Sequence, residues 1–86
     1  MIRYEITEQM RQAQASGHKF YCTVADDTGR KGYLTGPYDT PEDAVEDLPR
    51  ARELAERADP RAPFYGYGLA SASPIVAIKT VFGVRG

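Results

Sequence analysis

The chain has no tryptophan, no asparagine, one cysteine and one histidine. Each shortage excludes something. A lone Cys22 forms no intrachain disulfide and supplies no multi-cysteine zinc site. Without asparagine there is no N-glycosylation acceptor. With His18 as the sole imidazole, conventional nucleophile–base chemistry has a single base to draw on. No apolar run approaches the ~20 residues that span a bilayer. No basic-then-apolar leader opens the sequence, so a cytoplasmic protein without a membrane partner is expected. Neither sign of charge dominates. The 11 Lys and Arg stand against 12 Asp and Glu, a net charge of -1, which disfavours a strongly basic nucleic-acid module. What is present is a globular composition, 42% hydrophobic and 27% charged over 86 residues. That length has room for one core and one domain, residues 1–86.

Residues 1–17 read as a short extended start and a helix. Thr7 is its N-cap, with Glu8 at the positive end of the dipole. Ile6, Met10 and Ala13 share a face, and Gly17 suits the left-handed residue that ends a helix. Residues 18–38 read as a hairpin. Phe20, Cys22 and Val24 recur at period two and form the inward set, with Lys19, Tyr21 and Thr23 on the other face. Asp26 to Gly32 is rich in turn formers. Tyr33-Leu34-Thr35 resumes the strand, and Gly36-Pro37 is expected to close it.

Residues 40–59 carry the clearest pattern. Thr40, Pro41 and Asp43 make a helix start. Ala44, Leu48, Ala51, Ala55 and Ala58 form one stripe, widened by Val45 and Leu54. Acids come early and bases late, with Glu46–Arg50 and Glu53–Arg57 as favourable pairs. Pro49 is the conflict: mid-helix proline costs ~3 kcal/mol, which predicts a kink or a break. Residues 64–84 read as a second strand pair. Phe64 to Ala70 is followed by a turn at Ala72-Ser73-Pro74. Ile75 to Phe82 is β-branched and nearly continuous, which predicts a central, largely buried strand. The expected fold is α+β in the order α-β-β-α-β-β. It has about four antiparallel strands and helices packed on one face.

The search for chemistry mostly eliminates. His18 and Cys22 share a strand face, but structural zinc takes four ligands. They also stand about 13 Å apart along a strand, too far for a thiolate–imidazole pair. Cys22 belongs to the inward set and reads as a small buried hydrophobe. Ser16, Ser71 and Ser73 lack a G-x-S-x-G elbow. Gly66-Tyr67-Gly68-Leu69-Ala70-Ser71 approximates a dinucleotide fingerprint without the helix that must follow it. No catalytic residue, metal or cofactor is expected. A small enzyme or ligand-binding domain around His18 stands as a second alternative.

Two surface features point to recognition. Tyr21, Tyr33, Tyr65 and Tyr67 are candidates for an exposed aromatic platform, edged by Lys31 and Lys79. Such a platform anchors protein contacts, where tyrosine is enriched. With Lys19 it is also the basis of an alternative reading as a single-stranded nucleic-acid module. The second feature is clustered acid. Asp26, Asp27, Asp39, Glu42, Asp43, Glu46 and Asp47 fall in a stretch whose only bases are Arg30 and Lys31. That segment is the candidate for docking on a basic, nucleic-acid-binding protein surface. Simpler readings stay open for both: tyrosines covering a small sheet, and a helix start obeying its dipole.

In size, element order, the acidic Thr40–Asp47 segment and the lack of catalytic machinery, the chain resembles small α+β proteins carried by phages and plasmids, among them the anti-CRISPR proteins. The resemblance carries no residue over position by position. It implies a stoichiometric, non-enzymatic inhibitor that binds a host defence complex and occludes it sterically or electrostatically. A homodimer is compatible with it, through an exposed strand edge.

Overall fold

The structure is a computed structural model that describes residues 5–76 and 78–83. Part of the expected extended start, and Ala77 and Val84 of the expected second strand pair, lie outside them. Helix α1 spans Glu8–Ala15, and the Thr7 hydroxyl accepts the Met10 N–H at 3.2 Å. Gly17 follows at φ +81°, the left-handed turn that ends the helix. Met10 and Ala13 pack on the core.

Strands β1 (Lys19–Ala25) and β2 (Lys31–Tyr38) form the expected antiparallel hairpin. Asp26 builds its turn. One carboxylate oxygen accepts from the Thr28 N–H at 2.9 Å, the Thr28 hydroxyl at 2.6 Å and the Arg30 N–H at 2.9 Å. Strand β2 does not stop at Gly36-Pro37 but runs on to Tyr38. Two facts explain the difference. It is an edge strand, where a proline without an N–H is tolerated. The ladder also slips between the pairs Phe20–Tyr38 and Cys22–Thr35, leaving Gly36 and Pro37 in a bulge opposite Tyr21.

Helix α2 spans Pro41–Ala58, capped by the Thr40 hydroxyl, which accepts the Asp43 N–H at 3.1 Å. Its buried residues are Pro41 and four of the five stripe positions read from the sequence, Ala44, Leu48, Ala51 and Ala55, while Ala58 at its end is exposed. The helix continues unbroken through Pro49. Pro49 lies on the exposed side, so its ring meets solvent and the buried stripe is undisturbed. Glu53–Arg57 forms at 2.6 Å, but Arg50 pairs with Asp47 rather than Glu46.

After a short 3-10 turn, Ala62–Phe64, strand β3 (Gly66–Ala72) pairs antiparallel with β1. The sheet order is β2-β1-β3, and α2 carries the chain between the two outer strands. The fold is α+β with a three-stranded antiparallel sheet and two α-helices among the described residues. The core joins Phe20, Cys22, Leu34 and Tyr38 to the alanine stripe, Leu48 and Ala62. Small alanines let the helix approach the sheet closely.

The expected fourth strand, Ile75 to Phe82, does not form among the described residues. A turn follows β3, with the Val76 N–H donated to the Ser73 carbonyl at 3.0 Å. Ile75 is 91% exposed and Val81 69% exposed; Ala77 is outside the described residues. The chain then runs beside β2. Val81 and Phe82 donate to the carbonyls of Tyr33 and Leu34 at 3.1 and 2.8 Å, and Gly36 donates to Gly83 at 3.3 Å. The physical reason is one of places. β1 already has a strand on either side, so a β-branched run, whatever its propensity, finds no central slot.

Gly36 sits at φ +134°, and a Cβ there would meet Tyr21 Cδ2 at 2.6 Å and the Phe20 carbonyl oxygen at 3.0 Å. Gly29 also has positive φ, +86°, but faces open space. Gly36→Ala is expected to cost about 3 kcal/mol or more, and Gly29→Ala about 1 kcal/mol. Urea unfolding of the two variants checks the difference. Equal losses would mean that the Tyr21 ring moves aside freely.

Candidate functional site

The acidic segment is largely consumed by the fold. Asp26 is held in its own turn. Asp27 meets Arg61 at 2.5 Å, and Asp39 meets Lys19 at 2.5 Å. Glu42 is bonded to Arg11 across the α1–α2 junction. Asp47 takes both Arg50 guanidinium bonds at 2.7 Å and accepts the Tyr38 hydroxyl. Asp43 and Glu46 are exposed and have no ion-pair partner among the described residues. The predicted seven-residue cluster therefore reduces to two uncompensated carboxylates on the first turns of α2. Hydrogen bonds hold two of the others, and Asp59 at the end of α2, below the usual carboxylate range. Asp26 is lowered chiefly by the Thr28 side chain, Asp59 by the Arg61 N–H, and Glu42 by the Arg11 guanidinium. Each stabilises the folded chain above the unfolded carboxylate range, and that contribution is lost as pH falls through the folded value.

The tyrosine platform is not assembled. Tyr21 is only 4% exposed. Alternation places it on the face away from Phe20 and Cys22, as expected, but the bulge at Gly36 receives its ring, and Tyr33 stacks edge-on at 5.3 Å. Tyr65 donates to Asp59 at 2.8 Å, and Tyr67 donates to the Ala62 carbonyl at 2.8 Å with the Arg52 guanidinium 5.5 Å from its ring centre. The first ties the residue before β3 to the cap of α2, the second ties β3 to the 3-10 turn. Lys19 is engaged by Asp39. A single-stranded nucleic-acid surface built on Lys19, Tyr21, Lys31, Tyr33 and Tyr67 thus lacks its central ring at the surface.

Cys22 is fully buried, and its thiol donates to the Ala44 carbonyl at 3.1 Å. Burial pushes its pKa up, away from a reactive thiolate. His18 is half-buried beside the α1 terminus, where its N–H donates to Ala13 at 3.0 Å. No group of three or more metal-ligating side chains occurs among the described residues. No described helix is long and apolar enough to cross a membrane.

What stays uncovered is at the β3 side. β3 pairs with β1 along its whole length without a register slip, and no backbone bond reaches its outer edge among the described residues. The strand contains no charge and no proline. Ile75 and Val76 follow it, both exposed, and Phe64, 86% exposed, precedes it. A cleft of about 190 Å³ between the start of α1 and β3 is lined by Met10, Phe20, Leu69 and Ser71 among others. It is smaller than the roughly 300–1,000 Å³ of small-molecule pockets, and no titratable group lines it. Sequence reading missed this surface because an apolar β-branched run looks the same whether a neighbour covers it or not.

No protein-family model, no curated protein and no solved structure matches this chain.

The Tyr38–Asp47–Arg50 chain gives a titratable signature. Burial and the hydrogen bond to Asp47 push the Tyr38 pKa up to about 12, above the ~10 of an unfolded tyrosine. The folded chain thus holds this proton more tightly. The stabilisation is complete below about pH 10 and is lost as pH rises from there towards 12. Tyr65 and Tyr67 shift the same way. Urea midpoints measured from neutral pH into this range should fall, and Tyr38→Phe should flatten part of the slope. An unchanged slope would place the alkaline loss elsewhere.

Proposed function

We propose that this chain is a non-catalytic protein-binding module whose contact surface is the open β3 edge and the apolar turn after it. The carrying observation is the exposure of Ile75 next to an uncharged strand whose outer edge receives no backbone bond among the described residues. Unpaired strand groups and uncovered apolar side chains are what a protein partner satisfies. The internal pairing of Asp26, Asp27, Asp39, Glu42 and Asp47 supports an apolar and main-chain contact over an electrostatic one. The burial of Cys22, whose thiol is held by the Ala44 carbonyl, supports a binder over an enzyme. Steric occlusion of a host defence complex is the narrower form of this proposal. It needs a docking surface of this kind and no catalytic group.

Capture of partners from a lysate of the source organism, at low and high salt, tests the reading. The expected partner survives high salt, is lost with Ile75→Ser/Val76→Ser, and is retained with Asp43→Lys/Glu46→Lys. Loss at high salt together with loss in the Asp43/Glu46 variant would overturn the apolar surface in favour of the acidic one.

A further inference from the structure

We propose that the outer edge of β3 is covered in cis by the segment Met1-Ile2-Arg3-Tyr4 of the same chain, and that a partner taking this edge displaces it. The second half of the inference rests on the reading of the β3 edge as the contact surface and adds what regulates access to it.

The two edges of the sheet differ. At the β2 edge the chain covers itself: Val81 and Phe82 donate to the carbonyls of Tyr33 and Leu34, and Gly36 donates to that of Gly83. β2 also carries Lys31, Pro37 and the bulge at Gly36. Charge, proline, bulges and covering segments are the devices that keep sheet edges from pairing. β3 has none of them among the described residues. Gly66-Tyr67-Gly68-Leu69-Ala70-Ser71-Ala72 is uncharged, free of proline and regular in its register against β1. Its outward N–H and C=O groups suit an extended segment.

Three observations point to the chain's own residues rather than to a strand from elsewhere. The first is position. Thr7, the N-cap of α1, lines one cleft with Leu69, Ala70 and Ser71, so the residues that lead into α1 enter beside β3. The second is reach. Residues 1–6 extend about 20 Å at ~3.3 Å per residue, enough to follow most of the seven residues of β3. The third is pattern. Ile2, Tyr4 and Ile6 alternate with Arg3 and Glu5, the period of a strand with one covered face. At the described end of this run Ile6 is half-buried and Glu5 exposed, as the alternation requires. Tethering adds to these. A segment joined this closely to its site acts at an effective concentration of the order of millimolar, which a free strand must exceed to replace it.

Residue-resolved amide exchange of the full chain tests the inference. Alternate amides of β3 donate to β1, and the others point to the outer edge. The outward set is expected to exchange at least about tenfold more slowly than open amides. Its protection should be the same after dilution, because pairing in cis does not depend on concentration. Adjacent N–H groups of a strand point opposite ways, so only one of Arg3 and Tyr4 donates to β3. At least one of Arg3→Pro and Tyr4→Pro should therefore speed exchange of the outward set about tenfold or more, with an unchanged circular dichroism spectrum. The same variant should raise partner capture, and adding Ile75→Ser/Val76→Ser should abolish it. Outward amides that exchange like open ones overturn the inference, as does protection indifferent to both proline variants. Protection that falls on dilution overturns it as well and puts a second copy on the edge. Protection that is lost in a proline variant while capture stays the same would leave the segment in place and remove the protein-binding reading of this edge alone.

Discussion

Burial of Phe20, Tyr21 and Cys22, consecutive on β1, constrains everything around them. Consecutive strand residues point to opposite faces, so β1 is buried on both. Its two edges are taken as well, by β2 and β3. On the Phe20 and Cys22 face the answer is α2, whose alanines bring the helix close. On the Tyr21 face it is a glycine. The ring lies where a Cβ at Gly36 would stand, and the bulge that opens this space also carries β2 past Pro37 to Tyr38. Tyr38 then reaches Asp47 on α2, so both faces of the hairpin are tied to the same irregularity.

The helices were legible in the sequence because their signals are local. Thr7 and Thr40 cap as their positions imply, and the alanine stripe buries as its spacing implies. Pro49 does not break α2: the lost backbone bond is local, and the burial of Ala44, Leu48, Ala51 and Ala55 on the other side of the helix holds its two halves together. The terminal run from Ile75 to Phe82 misled. Its propensity describes how well it would fit a sheet, whereas its fate depends on whether a place remains. Tyr21 shows the same limit at the level of one residue. Alternation assigned its face correctly, but nothing near it in sequence announces that Gly36 makes room for the ring.

Charge followed a similar course. The acids between Asp26 and Asp47 cluster in sequence, yet three of them find partners from elsewhere: Arg11 in α1, Lys19 in β1, Arg61 beyond α2. Pairing across elements turns an apparent docking patch into fold-level stitching. Individual exposed pairs of this sort contribute little each. Their effect on recognition is larger, because they cancel the field a basic partner would sense. The surface left without internal partners is apolar and main-chain in character, and it lies at the one side of the sheet where no described segment pairs with the outer strand.

The central place of β1 is open to a direct measurement, native-state amide hydrogen exchange resolved by residue. Amides from Phe20 to Val24 should exchange only through global unfolding, with free energies equal to the urea-derived stability and lowered in step with it by Gly36→Ala. Exchange at Tyr21 through a local opening far below the global stability would contradict the claim that both faces of this strand are closed.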